Sequence, residues 1–313
     1  MRTRIATLIV VSALLVVSGC ASLQTRSAFD KRAPAASGAR SGDAGPDVRG
    51  AGGQAPATEA TDEPPHIQPD RPDVTNSTYI VPTHLAQLET GARYGRVPVS
   101  GQSIATPVSL RIGVADWLEA RLDTDGVTRA GGESPSGLQF AGLAVGGKLE
   151  LWQAHRGTPA VAVQPAVTLP VGRGADGGTD YSLTLIASAD LSRRTHLDVN
   201  YGLGAIAAGQ SHFAQHLLSA SGNVAIGAKW SPYVEVYWFS RLDPGGPRVL
   251  SMDAGAMYTL NERLAVDGGV LCGLAAPDAH PAVLAGLSVI VGEIAGHKGV
   301  HARLLEARRR GRQ

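Results

Sequence analysis

The sequence contains few of the features that mark disulfide scaffolds or nucleic-acid-binding proteins. Its 313 residues include only two cysteines, so at most one disulfide bond can form within the chain. Its 28 basic residues are balanced by 27 acidic ones, and a net charge of +1 creates no strong field toward a polyanion. We therefore expect neither a disulfide-rich fold nor a nucleic-acid partner.

Long apolar segments are also scarce. Beyond residue 17, no run approaches the roughly twenty apolar residues that a membrane-spanning helix requires. Only 18% of the residues are charged, and the chain carries 39 glycines. This composition excludes a helical membrane protein and leaves a β-barrel or a soluble β-protein.

Residues 1–20 have the three zones of an export signal. Arg2 and Arg4 precede an apolar run from Ile5 to Val17, and small residues follow this run. A run of about thirteen apolar residues is too short for an inner-membrane anchor, which needs about twenty. We predict that residues 1–20 form a cleaved signal peptide and that the mature protein is exported.

The end of this signal resembles a bacterial lipobox, in which cleavage precedes a cysteine that becomes lipidated. Val17, Ser18 and Gly19 precede Cys20. Ala21 follows, and the absence of aspartate at this position fits sorting to the outer membrane. An ordinary signal peptidase site after Ala21 is the alternative. Cys20 is therefore a candidate lipidation site.

The composition changes after the signal and again near residue 80. Residues 21–79 are predicted to form a disordered periplasmic tether, because large apolar side chains are nearly absent between Phe29 and Ile67. Such a segment cannot bury enough surface to offset its chain entropy. Residues 80–291 instead show the pattern of a β-domain.

Large apolar residues in this β-domain alternate with polar or small ones, which indicates strands with one apolar face. Leu110 and Ile112, for example, flank Arg111. The strand segments lie near residues 82–94, 103–113, 116–124, 138–152, 159–170, 180–190, 194–206, 216–229, 232–241, 248–259, 263–273 and 281–291. An even count returns both termini to one side, as bacterial barrels require. We predict an all-β fold: a transmembrane antiparallel β-barrel of about 12 strands, preceded by a disordered N-terminal segment.

The links between these segments alternate between short and long. A tight link is expected near residues 230–232, for example, and a longer one near residues 207–215. Outer-membrane barrels have short periplasmic turns and longer extracellular loops. A soluble β-sandwich is the alternative, but nothing in that architecture requires such an alternation.

Four stretches of the sequence together resemble a known family. They are His84–Gly91, Leu110–Glu119, Pro165–Gly172 and Ala275–Ser288. The family is the transporter-like group of outer-membrane proteins associated with the meta-pathway of phenol degradation, and the resemblance covers roughly residues 80–291. It implies a barrel that passes or binds small organic compounds, and it carries over no catalytic motif.

The C-terminal end differs from outer-membrane barrels in general. Val291 is followed by a basic tail, residues 292–313, and not by a terminal aromatic residue. We expect a solvated tail, with contact to anionic headgroups as the alternative. The partners expected for such a barrel are outer-membrane lipid, a small-molecule solute and the barrel-assembly machinery during biogenesis.

If the apolar faces contact lipid, the charged side chains of the strands point into the lumen, because a charge on the lipid face costs roughly 2–4 kcal/mol near the membrane centre. The lumen-facing candidates are Glu89, Arg93, Arg111, Glu119, Arg121, Asp123, Lys148, Glu150, Asp198, Glu235, Arg241, Asp253 and Asp267. They could line a polar passage or brace the lumen as ion pairs. About eight strands leave a filled interior and about sixteen a water channel, so we expect bracing with a narrow path.

Aromatic residues lie mostly near the predicted strand ends. They are Tyr94, Trp152, Tyr181, Tyr201, Trp230, Tyr233, Trp238 and Tyr258. Amphipathic rings at such positions suit the membrane interface. A stacking site for an aromatic solute is the alternative.

Catalytic chemistry has little support in the sequence. His196 and Asp198 share a strand face, and Ser219 lies near His216 in sequence, which allows a hydrolase to be imagined. Spacing for metal ligands is missing, as is a phosphate-binding loop before a helix. We expect no catalytic residue, no metal and no cofactor, and we predict passive transport or binding of small, hydrophobic or aromatic solutes. A non-conducting structural or adhesive surface barrel is the alternative.

Overall fold

The computed structural model describes residues 66–71, 74–97, 101–130, 138–155, 157–171, 178–275 and 281–293. The predicted signal peptide with Cys20, residues 21–65 of the predicted tether and the C-terminal residues from 294 onward lie outside this part of the chain. None of the described residues forms a helix that is long and apolar enough to cross a bilayer.

Regular structure in the described residues consists of fifteen β-strands. They are β1 (Leu85–Val97), β2 (Gly101–Ala105), β3 (Val108–Ala115), β4 (Leu118–Thr124), β5 (Val127–Ala130), β6 (Gln139–Phe140), β7 (Leu143–Trp152), β8 (Ala160–Leu169), β9 (Asp180–Asp190), β10 (Thr195–Ala208), β11 (Ser211–Val224), β12 (Trp230–Phe239), β13 (Val249–Asn261), β14 (Leu264–Ala275) and β15 (Ala282–Glu293).

Three short strands, β2, β5 and β6, each continue a longer strand after a break of two residues. Only Thr106 and Pro107 separate β2 from β3, and Asp125 and Gly126 separate β4 from β5. Proline lacks the N–H that a strand ladder needs, so an interruption at Pro107 is expected. A two-residue break likewise separates β6 from β7, and counting each broken strand once gives a wall of twelve strands.

The twelve-strand wall closes on itself. All neighbouring strands are antiparallel, and the last strand, β15, pairs with β1. The pairing runs from Leu85 opposite Glu293 to Gly95 opposite Ala282, with a register shift between Ala86 and Gln87. Closure thus pairs the first strand of the wall with the last, as in a β-barrel. The predicted antiparallel barrel of about 12 strands is confirmed.

The predicted strand segments agree with the observed strands within a few residues, with two larger errors. The strand predicted near residues 116–124 was expected to end in a long link, but it continues as β5 to Ala130. Residues 207–215 were expected to form a long link, but only Gly209 and Gln210 separate β10 from β11. Gly209 has a φ of +61°, which glycine adopts without steric cost in a tight hairpin. As a result, β11 begins five residues earlier than predicted, and the next link falls at residues 225–229.

Side-chain burial is inverted relative to a soluble protein. The largest fully buried side chains include Arg111, Lys148, Glu89, Glu119 and Glu235, all of which point inward. Large apolar side chains cover the outside, and on β9, for example, Leu183 and Leu185 are about half exposed. A polar interior and an apolar exterior are what a lipid environment selects.

Most of the aromatic side chains lie on the outer surface as expected. Trp152, Tyr181 and Trp230 are each more than half exposed, at strand ends. Tyr233 is an exception, because its side chain is buried inside the barrel against Gly255 and Gly269. The interface role predicted for Tyr233 is therefore wrong, since this residue lies on the inward face of β12.

Candidate functional site: the occluded lumen

The chain segment before β1 lies inside the barrel. We call residues 66–71 and 74–82 the plug. At one end of the plug, the Ile67 N–H donates to the carbonyl of Glu262, in the turn between β13 and β14, at 2.9 Å. The sequence predicted a disordered periplasmic tether up to residue 79, so for residues 66–71 and 74–79 that expectation is corrected. A polar segment can be ordered here because the lumen provides hydrogen bonds in place of apolar burial.

Carboxylates of the wall hold the backbone of the plug. Glu89 of β1 accepts hydrogen bonds from the backbone N–H groups of Asp70 and Arg71 at 3.3 and 3.1 Å. Glu119 of β4 accepts from the N–H of Val81 at 2.9 Å. Hydrogen bonds to ionised acceptors are among the stronger ones in proteins. These two carboxylates therefore fix both ends of the plug.

The middle of the plug is held in the same way on the opposite wall. Glu235 of β12 accepts from the N–H groups of Val74, at 2.9 Å, and of Thr75. The Thr75 hydroxyl donates to Glu235 and lies 2.9 Å from the hydroxyl of Ser219 on β11. The plug thus crosses the lumen from β1 to β12.

Two neutral side chains complete this set of contacts. Asn200 of β10 accepts from the N–H of Asn76 at 2.7 Å and donates to its carbonyl at 2.8 Å. Ser188 of β9 accepts from the N–H of Thr78 at 2.9 Å. Plug backbone groups that would otherwise be unpaired in the lumen are thereby satisfied.

Asp70 of the plug is the centre of the main charge cluster. Its carboxylate lies 2.7 Å from Lys148 Nζ and 3.4 Å from Arg111 Nη1, and it pairs directly with Arg121. Burial alone would raise the pKa of Asp70, but the three cations together outweigh this effect and hold its pKa well below its ordinary value. Asp70 is therefore ionised throughout the physiological range.

Arg111 of β3 joins this cluster to the plug backbone. Its guanidinium donates to Glu119 at 2.9 Å and to Glu89 at 3.0 Å. It also donates to the carbonyls of Gln68, at 3.1 Å, and Tyr79, at 3.0 Å. A fully buried arginine is tolerated because its donors are occupied by acceptors of the wall and of the plug.

The positions of the predicted lumen residues can now be stated. Buried inside the wall are Glu89, Arg111, Glu119, Arg121, Lys148, Asp198, Glu235, Asp253 and Asp267, whereas Arg93, Asp123 and Glu150 are partly exposed. Arg241 is an exception, since it follows the end of β12 and is exposed. Its expected inward projection from a strand is therefore corrected.

Two cavities remain beside the plug. The larger, of about 690 Å³, is lined by the plug and by the ends of β9 to β13, including Thr195, His196 and Tyr233. The smaller, of about 370 Å³, is lined by residues of β3, β4, β7 and β8, including Ser109 and Thr168. Both volumes fall in the range of sites for small molecules, about 300–1,000 Å³.

The residues considered for hydrolysis are not brought together. Ser219 and His216 are three positions apart on β11, so their side chains point to opposite faces of the wall. His196 lies 2.7 Å from Asp190 and 3.1 Å from Asp198. The Ser219 hydroxyl contacts the plug instead. This arrangement does not place a serine against a histidine base as acyl transfer requires.

Sequence reasoning missed the plug residues. Asp70 and Arg71 lie in a segment poor in apolar residues, and their partners in the wall are from 18 to 196 positions away along the chain. The charges of Asp70 and Arg71 indicate a position inside the barrel only when they are paired with the charged residues of the wall. One feature of the sequence could have indicated the plug: the large side chains of Ile67 and Tyr79 occur in a segment that is otherwise polar.

A family model described as "Putative MetA-pathway of phenol degradation" matches residues 69–286. This match confirms the resemblance found in the sequence and extends it into the plug. No curated protein matches the sequence.

Solved outer-membrane barrels have a similar structure. An outer-membrane channel from Pseudomonas putida F1 matches with a TM-score of 0.52 at 9% identity, over 67% of this chain and 96% of that chain. The NanC porin matches with a TM-score of 0.49 at 12% identity, over 64% and 98% of the two chains. The CymD monoaromatic hydrocarbon channel matches with a TM-score of 0.39 at 10% identity, over 69% and 90%. The first likeness shows that this fold occurs in outer-membrane channels.

Proposed function

The chain belongs to the family described by the MetA pathway of phenol degradation, and from this membership we propose that it forms a narrow passive route for small organic solutes across the outer membrane. The observation that carries the proposal is a polar, partly open lumen inside an apolar outer surface. Two cavities, of about 690 and 370 Å³, lie within this lumen. No energy source or cofactor enters the proposed mechanism.

The plug restricts the route to small solutes. Glu89, Glu119 and Glu235 engage its backbone, so the space available to a solute is what remains beside it. A solute passes either through this remaining space or after displacement of the plug. The charged wall residues thus act mainly in holding the plug, and we propose no catalytic role for them.

The orientation and the lipid anchor belong to the same proposal. The tight turns between β3 and β4 and between β13 and β14 lie at the barrel end where β1 begins and β15 ends. Periplasmic turns are short in outer-membrane barrels, so we assign this end and the N-terminal segment to the periplasm. Lipidation of Cys20 would tether the segment to the membrane, and mass spectrometry of the mature N-terminus tests this directly.

The test of function uses the refolded mature chain. A gel compares unheated and heated samples in detergent, since a closed barrel migrates differently after heating. The folded form is then added to planar bilayers and to liposomes loaded with small phenols and with sugars. Discrete conductance steps and faster efflux of the phenols support the proposal.

A non-conducting structural barrel is the second candidate function, and the extent of plug contact favours it. Arg111 alone joins two wall carboxylates to two plug carbonyls. Heat modification without conductance or solute efflux would select this candidate. Good solubility without detergent and absence of heat modification would reject a membrane barrel altogether.

A further inference from the structure

Arg71 of the plug is the residue that the two cavities share. It lines the larger cavity together with Ile67 and Thr75, and it lines the smaller one together with Ser109 and Thr168. Arg71 therefore lies between the two cavities and adjoins the space of each. Its side chain is 13% exposed, so a solute in either cavity can reach part of it.

The wall is shaped to receive this guanidinium. Gly91 of β1 and Gly286 of β15 are directly paired across the strands that close the barrel. A Cβ atom on Gly286 would lie 2.6 Å from Nη2 of Arg71, and one on Gly91 would lie 2.7 Å from its Cζ. Any larger residue at either position would occupy the space of the guanidinium. The two glycines thus form a slot that places Arg71 against the wall.

The guanidinium in this slot is incompletely paired. Its one ion pair within the described residues joins Nη2 to Asp267 Oδ1 at 3.5 Å, at the limit of a hydrogen bond. Its Nε is buried and has no hydrogen-bond partner in the described part of the chain. Arg111, by contrast, has five hydrogen bonds of 2.9–3.1 Å to side-chain and backbone oxygens. Arg71 therefore retains donors for an additional acceptor.

We propose that Arg71 is a binding residue for an anionic oxygen of the solute, and that aromatic carboxylates are a preferred solute class. A carboxylate fits because it can accept two parallel hydrogen bonds from the fork of a guanidinium. Asp267 competes with the solute for the guanidinium of Arg71, so the complex between the solute and Arg71 is weak and short-lived. Weak binding suits a transit site, since a solute must leave as readily as it enters.

The solute class rests on the proposed transport function, but binding can be measured without transport. The probe is benzoate, compared with the uncharged benzyl alcohol, and each is titrated into the refolded protein in detergent with saturation-transfer NMR as the readout. We expect benzoate to bind measurably tighter than benzyl alcohol. Equal binding of the two probes by the unaltered protein would overturn the proposal without any variant.

Substitutions then locate the site. Arg71→Gln should weaken benzoate binding about tenfold or more, because a hydrogen bond to a charged group is lost, and should leave benzyl alcohol unaffected. Arg93→Gln is the matched control, an arginine on the wall strand β1, and should retain benzoate binding. Gly286→Ala keeps every charge, but its added Cβ would lie 2.5 Å from Asp267 Oδ2 and 2.6 Å from Arg71 Nη2. It therefore displaces the guanidinium together with Asp267, and it should also weaken benzoate binding.

Heat modification on a gel verifies that each variant is folded. Retention of benzoate binding in folded Arg71→Gln, or equal loss in the control, would overturn the proposal. Conductance without Arg71-dependent binding would refute this inference and leave the transport function standing. Arg71-dependent binding without conductance or efflux would support the site and refute transport.

Discussion

Asp70 Oδ2 and Lys148 Nζ lie 2.7 Å apart, and this contact joins the plug to the wall at the centre of the lumen. Both side chains are almost completely removed from solvent. A buried ion pair contributes little when compared with apolar packing, but loss of one partner is costly because the other remains charged and buried. The position of the plug therefore depends on a small number of charged residues.

Replacement of Asp70 should release the plug. Asp70→Asn leaves Arg111, Arg121 and Lys148 short of a carboxylate, at a cost of about 3–5 kcal/mol. The barrel wall retains its own hydrogen bonds, so we expect a folded, heat-modifiable barrel with a several-fold larger single-channel conductance. Asp243→Asn, in the exposed loop after β12, is the control and should conduct like the original protein. Unchanged conductance in folded Asp70→Asn would mean that the other plug contacts suffice.

The plug should resist mild acid. The pKa of Asp70 is lowered in the folded protein, so its contribution to stability is complete above its ordinary value of about 4. This contribution decreases only as the pH falls from about 4 toward the lower folded value. Between about pH 8 and about pH 5, we expect no plug release in the original protein, as judged by single-channel conductance. A steep opening within this window would show that another group controls the plug.

A charged residue introduced on the outer surface of the barrel should lower the stability of the protein in lipid. Leu185 on β9 is 49% exposed, and Leu242 in a loop is 50% exposed. Leu185→Arg should destabilise the protein in lipid by up to about 2–4 kcal/mol, the cost of a cation on the lipid face. Leu242→Arg is equally exposed but lies outside the strands, so it should have little effect. Urea unfolding in liposomes measures both changes, and equal tolerance would favour the soluble alternative.

A small change in the wall should displace the end of the plug. The space above Gly113 on β3 is filled by the carbonyl groups of Val81 and Pro82, which a Cβ atom would overlap. Gly113→Ala should therefore shift this end of the plug and increase conductance. Gly268→Ala is a suitable control, because the nearest atom to its added Cβ lies at 3.5 Å, an ordinary contact. The same conductance in both variants would show that the plug accommodates the methyl group.

Several features could be predicted from the sequence because they depend on local alternation. Leu110, Arg111 and Ile112 alternate along one strand, and a strand places such neighbours on opposite faces wherever it lies in the sheet. The same rule predicted twelve strands and the inward direction of Glu119 and Lys148. The rule failed at Arg241, because β12 ends at Phe239, two residues before it.

The error near Gly209 has a different origin. A run of small and polar residues is typical of a long loop, but it can also continue a strand whose neighbours supply the hydrogen bonds. In the structure, Ala207 and Ala208 pair with His212 and Ser211, so the hairpin extends further than apolar alternation indicated. Pairing between two strands decided the position of this turn.

The sequence by itself determined the alternation of faces, the number of strands and the family, because each is recorded in the order of neighbouring residues. Only the tertiary structure decided that residues before the barrel return into its lumen. Asp70 meets Arg111, Arg121 and Lys148, which lie on three different strands, and their charges come together only after the sheet has closed. A polar segment is ordered when its partners converge in space, and its own sequence does not contain those partners.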